Sequence, residues 1–294
     1  MSHPYSCPSA SCGLFMFIKM CWQMSNYYVC CIARLEGRYI REFVEHYLSL
    51  GFTKVIICDN NHDGEDDLDV INDYVEQGKV IIEDYRNQVK AQMRAYTDMY
   101  AKYGKLCSWI LFCDVDEFLV LTKHKSIEEF LKPINYYECV FINWMCMTDN
   151  NLIRYEDKPL MERFTEPCPR DIKVQYAFEE NKHVKSIIKG GLDGICFYGN
   201  PHVPSNNLLC CNAEGRRCDQ SPWQPISWET AYFKHFTTKT LEEWFDNKLR
   251  KGTGDRTYEL FLKTYQDRFF KYNKPTKEKD AYIRMRAQKE KTIP

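Results

Sequence analysis

Unbroken apolar runs that alternate with amphipathic segments constrain the fold of this chain more than any other feature. The runs are residues 27–33, 54–58, 80–82 and 109–113. Runs that are apolar on both faces are typical of strands in a parallel sheet covered by helices on each side. The segments between them carry apolar residues at helical spacing, as Ile40 to Leu48 do before the helix-ending Gly51. The sequence therefore predicts an α/β fold in which strands and helices alternate.

The regular pattern loosens after about residue 120. Ser126 predicts the start of a short helix, and Tyr137–Met147 predicts one more long strand. Residues 150–230 are rich in Pro, Gly and Asn, and a further helix is expected over 241–250. We expect a domain over 26–262 with a regular half (26–120) and an irregular half (121–262), flanked by a loosely ordered leader (1–25) and a basic helical tail (263–294).

The charge balance excludes a chain that attracts nucleic acid as a whole. Lys and Arg number 40 against 41 Asp and Glu, a net charge of −1, so we expect no nucleic-acid partner. The 15 cysteines are scattered along the chain, which indicates reduced thiols in a cytoplasm. The tail, with ten Lys and Arg against four Asp and Glu from Lys263 onward, could rest peripherally on the inner face of a membrane. A solvated helical end is the alternative.

Two carboxylates separated by one residue follow the fourth apolar run. Asp114 and Asp116 come directly after Trp109–Cys113, and alternation along a strand would place both side chains on one side of the sheet. Two like charges repel unless a cation lies between them, and a hard divalent ion with oxygen ligands is the natural partner. Ligands of parallel sheets gather at the carboxyl ends of the strands. The pair therefore predicts a site for a metal ion and a phosphate, with a solvated acidic turn as the alternative.

Several separated motifs together resemble the glycosyltransferase-2-like and family-92-like proteins of the GT-A fold. The resemblance covers about residues 26–255 and is greatest for bacterial members that act on surface polysaccharides. It rests on Cys31-Ile32-Ala33-Arg34-Leu35-Glu36, Glu45-His46-Tyr47, Asp59-Asn60-Asn61, Asp114-Val115-Asp116-Glu117-Phe118 and Lys234-His235-Phe236-Thr237-Thr238-Lys239. It implies a mostly parallel, Rossmann-like sheet with helices on both faces, in which residues 26–120 bind a nucleotide and residues 121–262 bind an acceptor.

The resemblance implies an inverting glycosyltransferase of the hexosyltransferase class. The donor would be a nucleotide-diphosphate sugar, and the acceptor a saccharide or lipid-linked saccharide in capsule, lipopolysaccharide or exopolysaccharide synthesis. Mn²⁺ or Mg²⁺ held by Asp114 and Asp116 would stabilise the charge of the leaving diphosphate. Arg34 and Asp59, at the ends of the first two strands, are expected to bind the nucleotide. The alternatives are a surface ion pair for Arg34 and a helix N-cap for Asp59.

A late histidine and a nearby lysine are the further site residues that the resemblance implies. His235 would complete the metal shell, and Lys239 would contact the diphosphate. His202 competes with His235 for the metal, and a half-buried His235 packed on Trp244 is the structural alternative.

An inverting transfer also needs a carboxylate that takes the proton of the acceptor hydroxyl. Asp149, which follows the long predicted strand, is the first candidate for this base, and Glu229 is the second. An ordinary turn aspartate is the alternative for Asp149. Trp144 is expected to form an apolar platform for the acceptor sugar.

Two other functions remain open at this point. A phosphoryl-transfer enzyme could use the same two acids, although such enzymes carry the motif after their first strand and follow it with a small hydroxyl residue, whereas Glu117-Phe118 follow here. The other is a non-catalytic relative that binds a sugar or a nucleotide. Hydrolysis of any nucleotide sugar would exclude it.

Overall fold

The computed structural model describes residues 25–65, 68–169, 178–250 and 258–290. The first four strands are β1 (Tyr27–Ala33), β2 (Lys54–Asp59), β3 (Val80–Asp84) and β4 (Trp109–Phe112). They lie side by side in the order β3-β2-β1-β4, and each neighbouring pair is parallel. This is the arrangement that the four apolar runs predict. The expected leader at residues 1–25 falls almost wholly outside the described residues.

Helices connect these strands, as their hydrophobic spacing predicts. They are α1 (Ile40–Ser49), α2 (Asn72–Glu76, preceded by a short 3₁₀ turn) and α3 (Gln92–Tyr103). Helix α1 buries Ile40, Phe43, Val44 and Tyr47 on one face. It ends before Gly51, whose φ of 91° is a left-handed conformation that a residue with a Cβ atom adopts only with strain.

The second half of the chain extends the same sheet. Its elements are β5 (Glu117–Leu121), α4 (Ile127–Leu131), β6 (Cys139–Cys146), α5 (Leu160–Arg163), β7 (Val184–Lys189), β8 (Cys210–Asn212), β9 (Ala231–His235), α6 (Leu241–Arg250), α7 (Tyr258–Phe270) and α8 (Lys277–Glu290). The order continues from β4 through β7, β6 and β9 to β5, with β8 beside β6. Strand β7 is antiparallel to both β4 and β6, and β5 is antiparallel to β9.

Alternate side chains of the buried strands pack into two separate hydrophobic cores, one on each face of the sheet. In β1, Val29 and Cys31 face the core beneath α1, whereas Tyr28 and Cys30 face the core beneath α3. A sheet covered on both faces explains why these strands read as unbroken apolar runs. The predicted α/β class with a mostly parallel sheet is therefore confirmed.

Strand β5 is the main element that sequence reasoning did not expect. It begins at Glu117, directly after the acidic motif, and its partner β9 lies more than 100 residues further along the chain. Local patterns carry no information about such a distant partner. The predicted helix start at Ser126 is confirmed, because its hydroxyl accepts a hydrogen bond from the backbone N–H of Glu129.

Two further findings concern the cysteines and the lengths of the helices. In the part of the chain that the structure describes, the cysteines are free thiols. No helix among the described residues combines the length and the apolar character that crossing a membrane requires.

Candidate functional site

The candidate site lies at the edge of the sheet where parallel strands β1, β2 and β4 end. Strands β6 and β9 end at this edge too, with Cys146 opposite His235, and antiparallel β5 begins there with Glu117 opposite His235. Strand β7 also begins at this edge, because it runs antiparallel to β4 and β6. The topology thus brings Asp114 and Glu117 of one turn together with Lys185 and His235, from three segments that are distant in the chain.

The acidic motif forms a tight turn rather than the end of a strand. Strand β4 stops at Phe112. The N–H of Glu117 donates to the carbonyl of Asp114 (3.1 Å), and the N–H of Asp114 donates to Oε2 of Glu117 (2.9 Å). The sequence-based reasoning that strand alternation places Asp114 and Asp116 on one side is therefore wrong, because neither residue lies in a strand. The turn nevertheless brings both residues to the wall of one pocket.

Asp116, Glu117 and His235 form a cluster that fits a divalent cation. One ligand atom from each lies within 4.8 Å of the others, and His235 Nε2 is 3.8 Å from Asp116 Oδ1. Glu117 Oε1 and His235 Nδ1 are both buried and accept or donate no hydrogen bond among the described groups. Burial lowers the pKa of His235, which favours the neutral imidazole that a metal requires. Two carboxylates and one imidazole are a donor set suited to Mn²⁺.

Asp114 makes a different set of contacts from Asp116. Its Oδ2 accepts from the Lys185 ammonium at 2.6 Å, and its Oδ1 accepts from Gln92 Nε2 at 2.6 Å. Lys185 is fully buried and is also 3.4 Å from Glu117 Oε1. Although burial alone would raise the pKa of Asp114, the adjacent Lys185 lowers it to about 2. The charge of Asp114 is therefore already balanced by Lys185. The residues that could hold a metal ion are its neighbours Asp116 and Glu117, together with His235.

A pocket of about 460 Å³ opens in front of this turn. Its wall includes Arg34, Lys90, Gln92, Asp114, Asp116 and His235. The Arg34 guanidinium donates to both carboxylate oxygens of Glu65, at 2.9 and 2.7 Å, and this pairing lowers the pKa of Glu65 to about 2. Arg34 is thus presented to the pocket in a fixed orientation.

Comparison with known sequences decides the family. A sequence model described as glycosyltransferase family 92 matches residues 26–269. The chain belongs to glycosyltransferase family 92. It is 31% identical to a family 92 protein of Ricinus communis over 105 residues, which are 35% of this chain and 19% of that protein. It is 24% identical to a family 92 protein of Oryza sativa subsp. japonica over 105 residues, 35% of this chain and 18% of that protein.

These matches cover only about a fifth of each curated relative. Among solved structures, S. aureus TarS 1–349 in complex with UDP is similar with a TM-score of 0.31 and 12% identity over 44% of this chain and 38% of that one. Apo UDP-glucose pyrophosphorylase gives a TM-score of 0.28 and 13% identity, over 45% and 64%. Likenesses this low add no argument about ligands. Membership of family 92 agrees with the GT-A fold that the sequence resemblance implies.

The other predicted nucleotide and metal residues of this family 92 chain lie around the same edge. Asp59 lines a neighbouring cavity of about 420 Å³, and its Oδ1 accepts from the backbone N–H of Asn61. Lys239 has a φ of 55°, and its ammonium is 3.9 Å from Asp116 Oδ2. His202 is tied through Nδ1 to the carbonyl of Val184 at 2.9 Å. Burial lowers the pKa of His202 to about 3, so it is neutral.

The two candidates for the general base, Asp149 and Glu229, lie outside the pocket in front of the acidic turn. Asp149 lines a separate cavity of about 110 Å³, and its carboxylate pairs with the buried ammonium of Lys279 at 2.5 Å. The side chain of Glu229 is 73% exposed and lies 3.7 Å from Lys123. Neither residue is among the described residues that line the pocket in front of Asp114 and Asp116.

Trp144 is not an open platform, because only 8% of its surface is exposed. Its ring packs between imidazoles, with centroids 4.1 Å from His235 and 5.1 Å from His202. The aromatic ring in contact with His235 is therefore that of Trp144, not of Trp244, which packs on Phe269.

Sequence reasoning missed Gln92 and gave Lys185 and Glu117 no roles of their own, although Lys185-Ser186-Ile187 also resembles the family. Lys185 carries a detectable signal, since a lysine inside the apolar run Val184–Ile188 must either break the strand or find a buried anion. Gln92 has no comparable signal. It contacts Asp114 only because α3 packs beside the end of β4.

Proposed function

We propose that this chain transfers a sugar from a nucleotide-diphosphate donor to a saccharide acceptor with the help of a divalent cation. The observation that carries the proposal is the cluster of Asp116, Glu117 and His235, of which Asp116 and His235 line a polar pocket, in a chain of family 92. When bound, a divalent cation supplies Lewis-acid stabilisation of the leaving diphosphate. The chain's own part is to hold the donor, orient it and exclude water.

The donor contacts are assigned from the position of each side chain at this edge of the sheet. Asp116 and His235 would hold the cation, together with Glu117. Lys239, whose ammonium is 3.9 Å from Asp116, would contact the diphosphate beside it. Arg34 and Asp59, at the ends of β1 and β2, would contact the nucleoside. Asp114, held by Lys185, would accept hydrogen bonds from the donor through its partly exposed carboxylate, whose side chain is 34% accessible.

The finer parts of the sequence-based hypothesis stay predictions. They are the inverting, hexosyl-transferring stereochemistry, the general base, the bacterial surface-polysaccharide pathway and the cytoplasmic location with a peripheral membrane contact. Asp149 and Glu229 remain the named candidates for the base, although Asp149 is already paired with Lys279. The curated relatives come from plants, so they do not bear on the bacterial role.

Thermal-shift measurements with nucleoside diphosphates, with and without Mn²⁺, test the proposal. A ligand that binds only the native state at a hundred times its dissociation constant stabilises it by about 2.7 kcal/mol. We expect one of the nucleoside diphosphates to raise the melting temperature clearly more with Mn²⁺ than without it. If none does so in either condition, the donor assignment is overturned.

Matched variants locate the effect. Asp116→Asn and His235→Ala should remove the Mn²⁺-dependent part of the shift. Asp193→Asn, in an exposed pair with Lys105, should leave it unchanged. A full shift in His235→Ala together with its loss in His202→Ala would move the metal site to His202. Hydrolysis of a nucleotide sugar by the wild-type chain would exclude a non-catalytic relative.

A further inference from the structure

An exposed tryptophan lies at one end of a continuous series of ring contacts that reaches the candidate cation cluster. Trp223 is 47% exposed, and its ring centroid is 3.9 Å from that of His183. His183 in turn is 4.9 Å from Trp144, and Trp144 is 4.1 Å from His235. His235 is a member of the cation cluster. Three successive ring contacts therefore join the exposed Trp223 to the candidate cation cluster.

Backbone hydrogen bonds hold the segment around Trp223 in place, and the indole packs on the ring of His183. His183 and Trp223 form an antiparallel bridge, flanked by hydrogen bonds from Val184 N to the Pro222 carbonyl (3.2 Å) and from Gln224 N to the Lys182 carbonyl (2.8 Å). A rigid aromatic surface loses little conformational entropy on binding, so more of the energy of its contacts appears as affinity.

The imidazole beneath this indole is also oriented. His183 Nε2 lies 3.3 Å from Glu180 Oε2, and Lys271 pairs with the same glutamate. The hydrogen bond from His183 lowers the pKa of Glu180 to about 2, so that the carboxylate stays charged and keeps the ring in position. Glu180, which is itself paired with Lys271, thus holds His183 in place beneath Trp223.

We infer that Trp223 forms an acceptor subsite that stacks against the apolar C–H face of a pyranoside. This inference rests on the proposed function, because an acceptor must lie next to the donor that the cation cluster holds. It replaces the buried Trp144 as the stacking surface, and Trp144 and His183 become the layer that supports it. A pyranose ring has one face of C–H groups that matches an indole in size and polarity.

Saturation-transfer NMR and acceptor kinetics test the inference. The probes are methyl β-glucopyranoside and methyl β-galactopyranoside, measured with the wild-type chain in the presence of UDP or GDP and Mn²⁺. We expect saturation of the C–H protons of one sugar face, lost in Trp223→Ala and largely restored in Trp223→Phe. In a transfer assay, Trp223→Ala should raise the KM for the acceptor about tenfold or more, with a smaller change in kcat.

Tyr136→Ala is the matched control. Tyr136 is 65% exposed but precedes β6, at the opposite edge of the sheet, so its removal should leave sugar saturation and acceptor KM unchanged. Unchanged sugar contacts in Trp223→Ala, with the nucleotide-dependent thermal shift intact, would overturn the subsite alone. Absence of that thermal shift in the wild type would instead overturn the proposed function.

Discussion

Lys185 is a buried ammonium that balances two of the three carboxylates of the acidic turn. Its side chain has no exposed surface, and it contacts Asp114 at 2.6 Å and Glu117 at 3.4 Å. Although burial alone would lower the pKa of Lys185, the two carboxylates raise it. Breaking a buried pair from one side leaves an uncompensated charge in a medium of low polarity. The lysine therefore holds the motif in place before any ligand arrives.

We predict that Lys185→Met destabilises the fold by about 3–5 kcal/mol, the usual cost of an orphaned buried charge. Lys189→Met is the matched control, because Lys189 lies at the other end of the same strand, β7, with a partly exposed side chain. We expect it to cost less than about 1 kcal/mol. Adding Glu117→Gln to Lys185→Met should recover part of the loss. Urea unfolding of the four proteins measures this, and equal losses for the two lysine variants would contradict it.

At the scale of elements, the C-terminal helices pack onto the domain. Phe269 of α7 and Tyr282 and Ile283 of α8 share a small core with Leu241, Trp244 and Phe245 of α6. The ammonium of Lys279 in α8 pairs with Asp149 in the turn after β6, and both side chains are buried. Asp149 also accepts from the N–H of Asn151 at 2.9 Å, the contact of an aspartate turn. These contacts give Asp149 a structural role beside its predicted catalytic one.

We predict that Asp149→Asn and Lys279→Met each lower the free energy of unfolding by about 3 kcal/mol, since each leaves the other partner buried and unpaired. The double variant should cost clearly less than the sum of the two, because the pair acts as a unit. Lys277→Met, at the exposed start of α8, is the control. Additive losses would contradict the coupling.

The same variants separate the two roles of Asp149. If Asp149 is the general base, Asp149→Asn abolishes sugar transfer while Lys279→Met retains it at a temperature where both are folded. If its role is structural, the two variants transfer sugar at similar rates under those conditions.

At the scale of the molecule, the two predicted halves share one sheet. Strand β7 of the second half pairs with β4 of the first. Strand β5, which begins in the first half, lies at the far end of the sheet and pairs with β9 of the second. Helix α1 of the first half packs on β5, where His46 Nε2 contacts the carbonyl of Leu119 at 2.8 Å. The halves are therefore interleaved, and the site lies where they meet.

We predict that acidification from pH 7 to pH 5 destabilises the fold, partly through His46. Burial lowers the pKa of His46 below its ordinary value of about 6.5. In that window the unfolded chain binds a proton that the folded imidazole does not, so the free energy of unfolding falls as pH falls. One such group contributes at most about 1.4 kcal/mol per pH unit.

Urea unfolding of wild type and His46→Gln between pH 8 and pH 5 measures this contribution. The difference between the two proteins at pH 8 is the reference, and we expect the wild type to lose more stability than the variant on acidification. Glu117, Glu42 and Asp149, whose pKa values are raised by burial, offset part of the loss equally in both proteins. Parallel stability curves would contradict the assignment to His46.

Much of the fold was readable in the sequence, because hydrophobic period and capping are local. Apolar runs predicted β1 to β4, helical spacing predicted α1, and the Ser126 hydroxyl marked the start of α4. The acidic motif was likewise recognisable from residue type and position, whereas the role expected of His235 came from the resemblance to GT-A families. What local patterns cannot contain is the identity of a strand's neighbour.

Tertiary structure alone decided how the site is assembled. The pairing of β5 with β9 puts Glu117 opposite His235, and the insertion of β7 beside β4 brings Lys185 to Asp114 across 71 positions of chain. The burial of Trp144 and the exposure of Trp223 follow from the same packing. Such contacts depend on which elements are adjacent in space, and that is set by the free energy of the whole packed sheet rather than by any one segment.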